Sequence, residues 1–383
     1  MSINNSQIQS FKSVADQILT IVIDRGLWNH YDEHPMKSLV LTHNGCLEVQ
    51  DVPMPDRPGP DWVLVRIAAS GICGSDVPRA FAGGAYHYPL VMGHEFSAVV
   101  EEGFAGSDFS PGDRVAVYPL IPDPGETINQ VGEYAVAKRY DYFGSRRDGG
   151  FQEFLWVPEF SLFPVPDRVR LDHAALTEPC AVALHAASRP RIQPGMSAAV
   201  IGGGPIGNMV AQWLRFSGCR PVIVSEPDEK KRAIAESMGF ITADPGTADA
   251  VVGIRDQTGG GADVVVEACG LPVTFRQAVA CAGLFAQVVF LGNIHGEFAL
   301  SESEVSSVLR RELTIYGTWN SKVTPRGSDE WTRVLAFMDA EILVEPLISH
   351  RLSWDEGPSV FRSMNDKNGW FNKVLFTAEE LCQ

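Results

Sequence analysis

Apolar and polar positions along this 383-residue chain fall into two successive regimes. From Met36 to about Pro190 the apolar residues come in short bursts. Val63, Val65 and Ile67, with Leu64 and Arg66 between them, have the alternation of a half-buried strand. Met36 to Leu41, Phe96 to Val100, Arg114 to Tyr118 and Gln152 to Val157 read the same way. Glycine and proline separate the bursts, as at Pro111-Gly112-Asp113, so this stretch predicts a β-rich, barrel-like domain.

Near Arg191 the period changes. Ser197 to Ile201 is an unbroken buried-type strand, followed by a glycine-rich turn. Met209, Val210, Trp213 and Leu214 then recur on one helical face, and Gly218 supplies the C-terminal cap. Pro221 to Ser225 is the next strand, and a helix after Asp228 runs to Gly239. Asp263 to Glu267, Gln287 to Leu291 and Thr314 to Gly317 supply further strands. Strands alternating with helices predict an α/β fold with a doubly wound parallel sheet. After about Pro325 a helix around Trp331 to Met338 leads into the strand-like Pro346 to Arg351. The expected organisation is an extension over 1–35, the β-rich domain over 36–190, the doubly wound domain over 191–324 and a closing segment over 325–383.

Composition narrows the class of partner. The chain carries 31 Lys and Arg against 47 Asp and Glu, a net charge of −16. Such a field repels nucleic acid phosphates and anionic membranes, so neither is expected as a partner. No apolar run approaches the roughly 20 residues of a membrane span. The early Ile18 to Ile23 stretch is short for a signal sequence and lacks a basic leader. The seven cysteines are scattered, with no C-x-x-C pair, which fits a reducing cytoplasm.

Two sets of residues carry chemistry. The first is the turn Gly202-Gly203-Gly204-Pro205-Ile206-Gly207, with a strand before it and a helix expected from Gly207. Gly202, Gly204 and Gly207 have the spacing that seats a dinucleotide pyrophosphate against a helix N-terminus. Glu226 stands where the acidic partner of the ribose is expected, about 20 positions on. A carboxylate there accepts the ribose hydroxyls and repels a 2′-phosphate, so NAD is expected over NADP. The second set is Cys73 in Gly71-Ile72-Cys73-Gly74-Ser75-Asp76, His94-Glu95 after Gly93, and Glu178 before Pro179. Zinc accepts thiolate, imidazole and carboxylate donors. A lone cysteine is more often a small buried hydrophobe, and a His-Glu pair a surface feature. Spacing alone leaves both readings open.

In order, these motifs resemble those of the zinc-dependent medium-chain dehydrogenases from Met36 onward, and especially the polyol branch of sorbitol and galactitol-phosphate dehydrogenases. Gly93-His94-Glu95-Phe96-Ser97 and Gly144-Ser145-Arg146-Arg147-Asp148-Gly149-Gly150 carry the likeness alongside the cysteine segment and the glycine turn. The resemblance implies a GroES-like catalytic domain joined to a Rossmann domain. It implies that Cys73 and His94 are zinc ligands, that Glu95 or Glu178 completes the site directly or through water, and that Ser75 passes the substrate proton. Pro205, Ile206, Glu226, Lys231, Leu291-Gly292-Asn293 and Thr318-Trp319-Asn320 match cofactor-contacting positions, with Asn320 also near the substrate. It further implies a homodimer or homotetramer, with edge strands at Gln287 to Leu291 and Thr314 to Gly317 as the contact.

Two departures from the family shape the expectation. The cysteines that often hold a second, structural zinc are missing from Pro122 to Tyr140, where Asp123, Glu126, Asn129 and Ala137 stand, so one zinc is expected. Pro78 replaces a relay histidine found in some relatives. The expected reaction is NAD-dependent oxidation of a secondary alcohol on a small polyol or polyol phosphate; Arg146 and Arg147 have the planar forks of a phosphate clamp, with a pair of solvated loop arginines as the other reading. A cyclitol or aminocyclitol is the alternative substrate. A non-catalytic nucleotide-binding protein is the alternative of another class, and it should have lost the zinc ligands or Ser75.

Overall fold

The computed structural model describes residues 35–246, 250–324 and 329–382. The expected extension, Pro35 apart, and the expected boundary at residue 325 lie outside them. The first body is built on the strand Trp62–Gly71, which pairs with Glu95–Glu102, Phe154–Pro158 and Lys373–Thr377. Arg114–Val117 and Leu162–Pro164 extend the sheet on one side, and Ile348–Leu352 extends it on the other. Alternate residues of these strands turn inward, where Val65, Ile67, Phe96 and Phe376 share a core with Phe151 and Phe361. The Phe151 ring centroid lies 5.2 Å from that of Phe376 and 5.9 Å from that of Phe361.

The second body is a six-stranded parallel sheet in the order Ile241–Ala243, Val222–Ser225, Ala198–Ile201, Ala262–Glu267, Ala282–Phe290, Thr314–Gly317. The strand order reverses beside Ala198–Ile201, and the glycine-rich turn leaves its C-terminal end at that crevice. Open parallel sheets bind ligands at this switch point. Helices cover both faces, which is why the central strands carry buried apolar runs such as Ala198–Ile201 and Val264 to Val266.

Three local expectations need correction. The helix after the glycine turn is Pro205–Phe216, two residues longer at its start, because Gly204 is its N-cap and Pro205 occupies the first turn. The strand Ala282–Phe290 lies between two others, so only Thr314–Gly317 of the two expected contact strands is an edge. Strand order in space is not strand order in sequence. The strand Phe154–Pro158 also starts later than expected, because Gln152 bridges Ser38 of the strand Met36–His43 and the Glu153 N–H bonds Lys37 O. Gly218 does close the helix at φ +102°, the left-handed backbone that favours glycine.

Asp172 ties the helix Leu171–Ala174 to the strand Ile348–Leu352. Its buried carboxylate accepts Arg170 at 2.9 and 3.0 Å and Arg351 at 2.8 Å. Burial alone would raise its pKa, but the two guanidinium groups prevail and hold it below the usual carboxyl value. The stabilisation is therefore full above about pH 4 and is lost as pH falls through the lower folded value. Asp172→Asn should cost about 2 kcal/mol at neutral pH. Melting curves should show the gap to the wild type closing in acid, and a pH-independent gap would refute the assignment. Among the described residues no helix is long and apolar enough to cross a membrane.

Candidate active site

Three strand ends meet at Gly71, and that meeting builds the site. In the sheet register Gly71 pairs with Glu95 on one side and with Leu375 on the other. Cys73, just past Gly71, therefore faces His94 and Glu95, while Lys373 arrives from the far strand. A Cβ on Gly71 would lie 2.4 Å from Glu95 Oε2, so only glycine admits the carboxylate there. One ligand atom each from Cys73, His94 and Glu95 lie within 4.8 Å of one another. Glu178 joins them from the first turn of the helix Thr177–Ala187, where Pro179 is tolerated because the early N–H groups have no helical partner.

Around this cluster stand residues that sequence reading did not assign. Asp76 is fully buried; its Oδ2 accepts the Cys73 N–H at 2.9 Å and its Oδ1 lies 3.5 Å from His94 Nδ1. That leaves Nε2 as the imidazole nitrogen free for a metal, with its partner nitrogen facing a carboxylate, as metal-bound histidines usually have it. Lys373 Nζ donates to Glu95 Oε1 and Oε2 at 3.0 and 2.7 Å and to Ile72 O at 3.0 Å. Tyr142 OH donates to Glu178 Oε1 at 3.3 Å and accepts from Asn320 Nδ2 at 3.4 Å. The backbone of Asn320 is left-handed, at φ 58°, and its Oδ1 accepts the next N–H at 2.7 Å, a conformation asparagine takes readily.

The titration pattern of the cluster is that of a cation site. Burial opposes charge on His94, yet Asp76 and Cys73 outweigh it and raise its pKa well above the ordinary value. Burial, with Glu95 adding to it, lifts Glu178 to about 7. Burial likewise opposes charge on Lys373, but Glu95 and Cys73 keep its pKa raised. His94 and Glu178 hold protons that a divalent ion would displace, while the Lys373 ammonium stays as the counter-ion of Glu95. A thiolate, an imidazole and buried carboxylates in such reach fit zinc.

The cluster opens on a cleft of about 720 Å³ that also reaches the parallel sheet. Cys73, Ser75, His94, Glu95 and Glu178 line one side; Gly204, Pro205, Ile206, Gly207, Leu291, Gly292, Asn293, Thr318, Trp319 and Asn320 line the other. Gly202 precedes them in the turn, and a Cβ on Gly207 would sit 1.9 Å from Gly202 O, so the turn closes only with glycine. Glu226 lies behind Gly203, its two oxygens accepting the N–H groups of Gly203 at 2.8 Å and Asp228 at 2.9 Å. Lys231 is not in the cleft wall; its N–H caps onto Asp228 Oδ1 at 2.9 Å.

Arg146 and Arg147 are not brought to the site. The Arg147 guanidinium pairs with Asp141 at 3.2 Å and lies over the Trp62 and Phe143 rings. Arg146 covers the Tyr140 and Tyr86 rings and donates to Tyr140 O. Neither lines the cleft, so the phosphate-clamp expectation is corrected: aromatic faces and Asp141 claim both side chains. In the stretch Pro122 to Tyr140, Arg139 Nε lies 3.1 Å from Asp123 Oδ2 and 3.3 Å from Glu126 Oε1.

Comparison with known proteins agrees with this geometry. Residues 59–167 match the alcohol dehydrogenase GroES-like domain, and residues 205–340 match the zinc-binding dehydrogenase domain. The chain is 33% identical over 346 residues to galactitol 1-phosphate 5-dehydrogenase of Escherichia coli K12, covering 89% of this chain and 99% of the relative. The chain belongs to the zinc-binding alcohol dehydrogenases. The crystal structure of the E. coli galactitol-1-phosphate dehydrogenase superposes on this dehydrogenase with a TM-score of 0.83, over 89% of this chain and all of that one. A zinc-binding dehydrogenase from Sinorhizobium meliloti bound to NADP, 31% identical, also gives 0.83 over 90% of this chain and all of that one. The family reading from the ordered motifs therefore holds, as does the expected pairing of a GroES-like domain with a Rossmann sheet.

Proposed function

We propose that this dehydrogenase oxidises a secondary hydroxyl of a polyol or polyol phosphate with NAD. The supporting observation is the convergence of Cys73, His94 and Glu95 in a cleft that continues to the glycine turn and to Asn320. Zinc, when bound, supplies Lewis acidity that lowers the hydroxyl pKa, and NAD accepts the hydride. Cys73 and His94 hold the metal, with Glu95 or Glu178 completing its shell. Ser75, exposed on the cleft wall, takes the proton from the hydroxyl and passes it to solvent. Asp76 fixes the His94 ring, and Tyr142 links Glu178 to Asn320 on the cleft wall where the nicotinamide would be held. The cleft holds substrate and cofactor together, which removes much of the entropic part of the barrier. One zinc per chain is proposed, since Arg139 already engages Asp123 and Glu126.

The relative at 33% identity is named for a polyol phosphate, which favours that class. Withdrawal of Arg146 and Arg147 from the cleft favours a second reading, a neutral polyol or a cyclitol. NADH absorbance on a panel of polyols, polyol phosphates and cyclitols tests both. Turnover confined to simple primary alcohols would overturn both.

NAD preference rests on Glu226. Glu226→Ser should raise kcat/KM with NADP relative to NAD by roughly tenfold or more, since it removes a carboxylate that would repel the 2′-phosphate. A wild-type preference for NADP would refute the proposal. The proposed oligomer is a dimer through the edge strand Thr314–Gly317, where Ile315 is 40% exposed, near the exposed Leu284 and Phe285 of the adjacent strand. Light scattering should give twice the chain mass, and a monomer at micromolar concentration rejects the contact.

A further inference from the structure

An anionic substrate must find a cation inside the cleft of a protein with net charge −16. The wall of the cleft contains an arginine and a lysine, Arg79 and Lys373. An ammonium has three donors, and Lys373 spends all three, two on Glu95 and one on Ile72 O. Arg79 is different. Its Nη1 donates to Asp76 Oδ1 at 2.5 Å, while its Nε is buried with no partner. Asn372 Oδ1, another unpartnered atom of the wall, is an acceptor and suits a hydroxyl rather than an anion.

Asp76 takes one of the five guanidinium N–H groups and burial closes off the Nε, so the remaining Nη groups are what Arg79 offers the cleft it lines. The Arg79 N–H bonds Ser75 O at 3.3 Å, so Ser75 and Arg79 stand one turn apart on the same face of the helix Asp76–Phe81. The backbone rise between them is about 6 Å, of the order of a short polyol chain. Asp76 holds the guanidinium through Nη1, which fixes the remaining Nη N–H groups for phosphate oxygens.

We propose that Arg79 is the anion-recognising residue of the cleft and takes the phosphate monoester of a polyol phosphate whose hydroxyl lies at Ser75. The assignment rests on the polyol reading above and deepens it. Arg79 contacts neither the metal nor the reacting carbon; it selects the substrate.

The test compares a polyol phosphate, the same polyol unphosphorylated and the matching aldonate, using wild type, Arg79→Met and Arg79→Lys, each checked for zinc content. The ratio of kcat/KM for the phosphate to that for the free polyol should fall roughly ten- to a hundredfold in R79M, with partial recovery in R79K. The aldonate should lose less than the phosphate, since its single carboxylate engages fewer donors. An equal loss on all three substrates overturns the proposal and makes Arg79 only the counter-ion of Asp76. A second readout is independent of turnover. Inorganic phosphate should raise the melting temperature of the zinc-loaded, NADH-saturated wild type and not that of R79M. An equal rise in both overturns the anion site. If no polyol is oxidised while the Arg79-dependent shift persists, the polyol reading falls and the anion site stands.

Discussion

Replacing Cys73 with serine should empty the metal site and abolish turnover, while NADH still binds. A neutral hydroxyl cannot stand in for a thiolate beside His94 and Glu95, whose ligand atoms are gathered within 4.8 Å of the sulfur. The lost Lewis acidity is worth several kcal/mol, roughly a thousandfold or more in kcat. The glycine turn and Glu226 belong to the parallel sheet, which the substitution does not touch. Elemental analysis, steady-state rates and NADH fluorescence titration check the three parts. Wild-type-like zinc content in C73S would show that His94, Glu95 and Glu178 hold the ion without it.

The second large effect concerns Lys373. Lys373→Met should cost about 3–5 kcal/mol, because it leaves Glu95 charged, buried and without its partner. For a protein of this size the melting temperature should fall by roughly 4–6 °C. Pairing the change with Glu95→Gln removes the orphaned charge and should recover most of the loss, a coupling that a double-mutant cycle reads directly. If K373M alone melts with the wild type, a metal or water, not the ammonium, balances Glu95.

What the sequence made legible is what lies close along the chain. The glycine turn with the strand before it, the capping Gly218 and the acidic Glu226 all belong to one strand–helix–strand unit, so local pattern sufficed. Cys73 and His94 stood out because glycines flank them. Lys373 did not, since its partner Glu95 is 278 positions away and the strand Lys373–Thr377 has no distinctive spacing. Asp76 was visible as a letter of the cysteine motif, but its role, like that of Arg79 beside it, comes from the short helix Asp76–Phe81. Tyr142 gave no signal: a tyrosine in a short strand is ordinary until its hydroxyl is seen between Glu178 and Asn320. Arg146 and Arg147 mislead for the opposite reason. Adjacent arginines suggest a clamp, yet the choice between phosphate and aromatic ring depends on what the fold places beside them.

The pairing of Lys373–Thr377 with Trp62–Gly71 also sets an order of assembly on the ribosome. All six strands of the parallel sheet lie between Ala198 and Gly317, so that sheet can fold while the chain is still being made. The first body cannot finish then. Lys373 Nζ reaches Ile72 O across 301 positions, and until it arrives Glu95 has no counter-ion and an edge of the central strand stands open. The nascent protein thus carries a finished nucleotide crevice next to an unfinished metal pocket, and its catalytic half stays exposed to chaperones and proteases until the last strand docks.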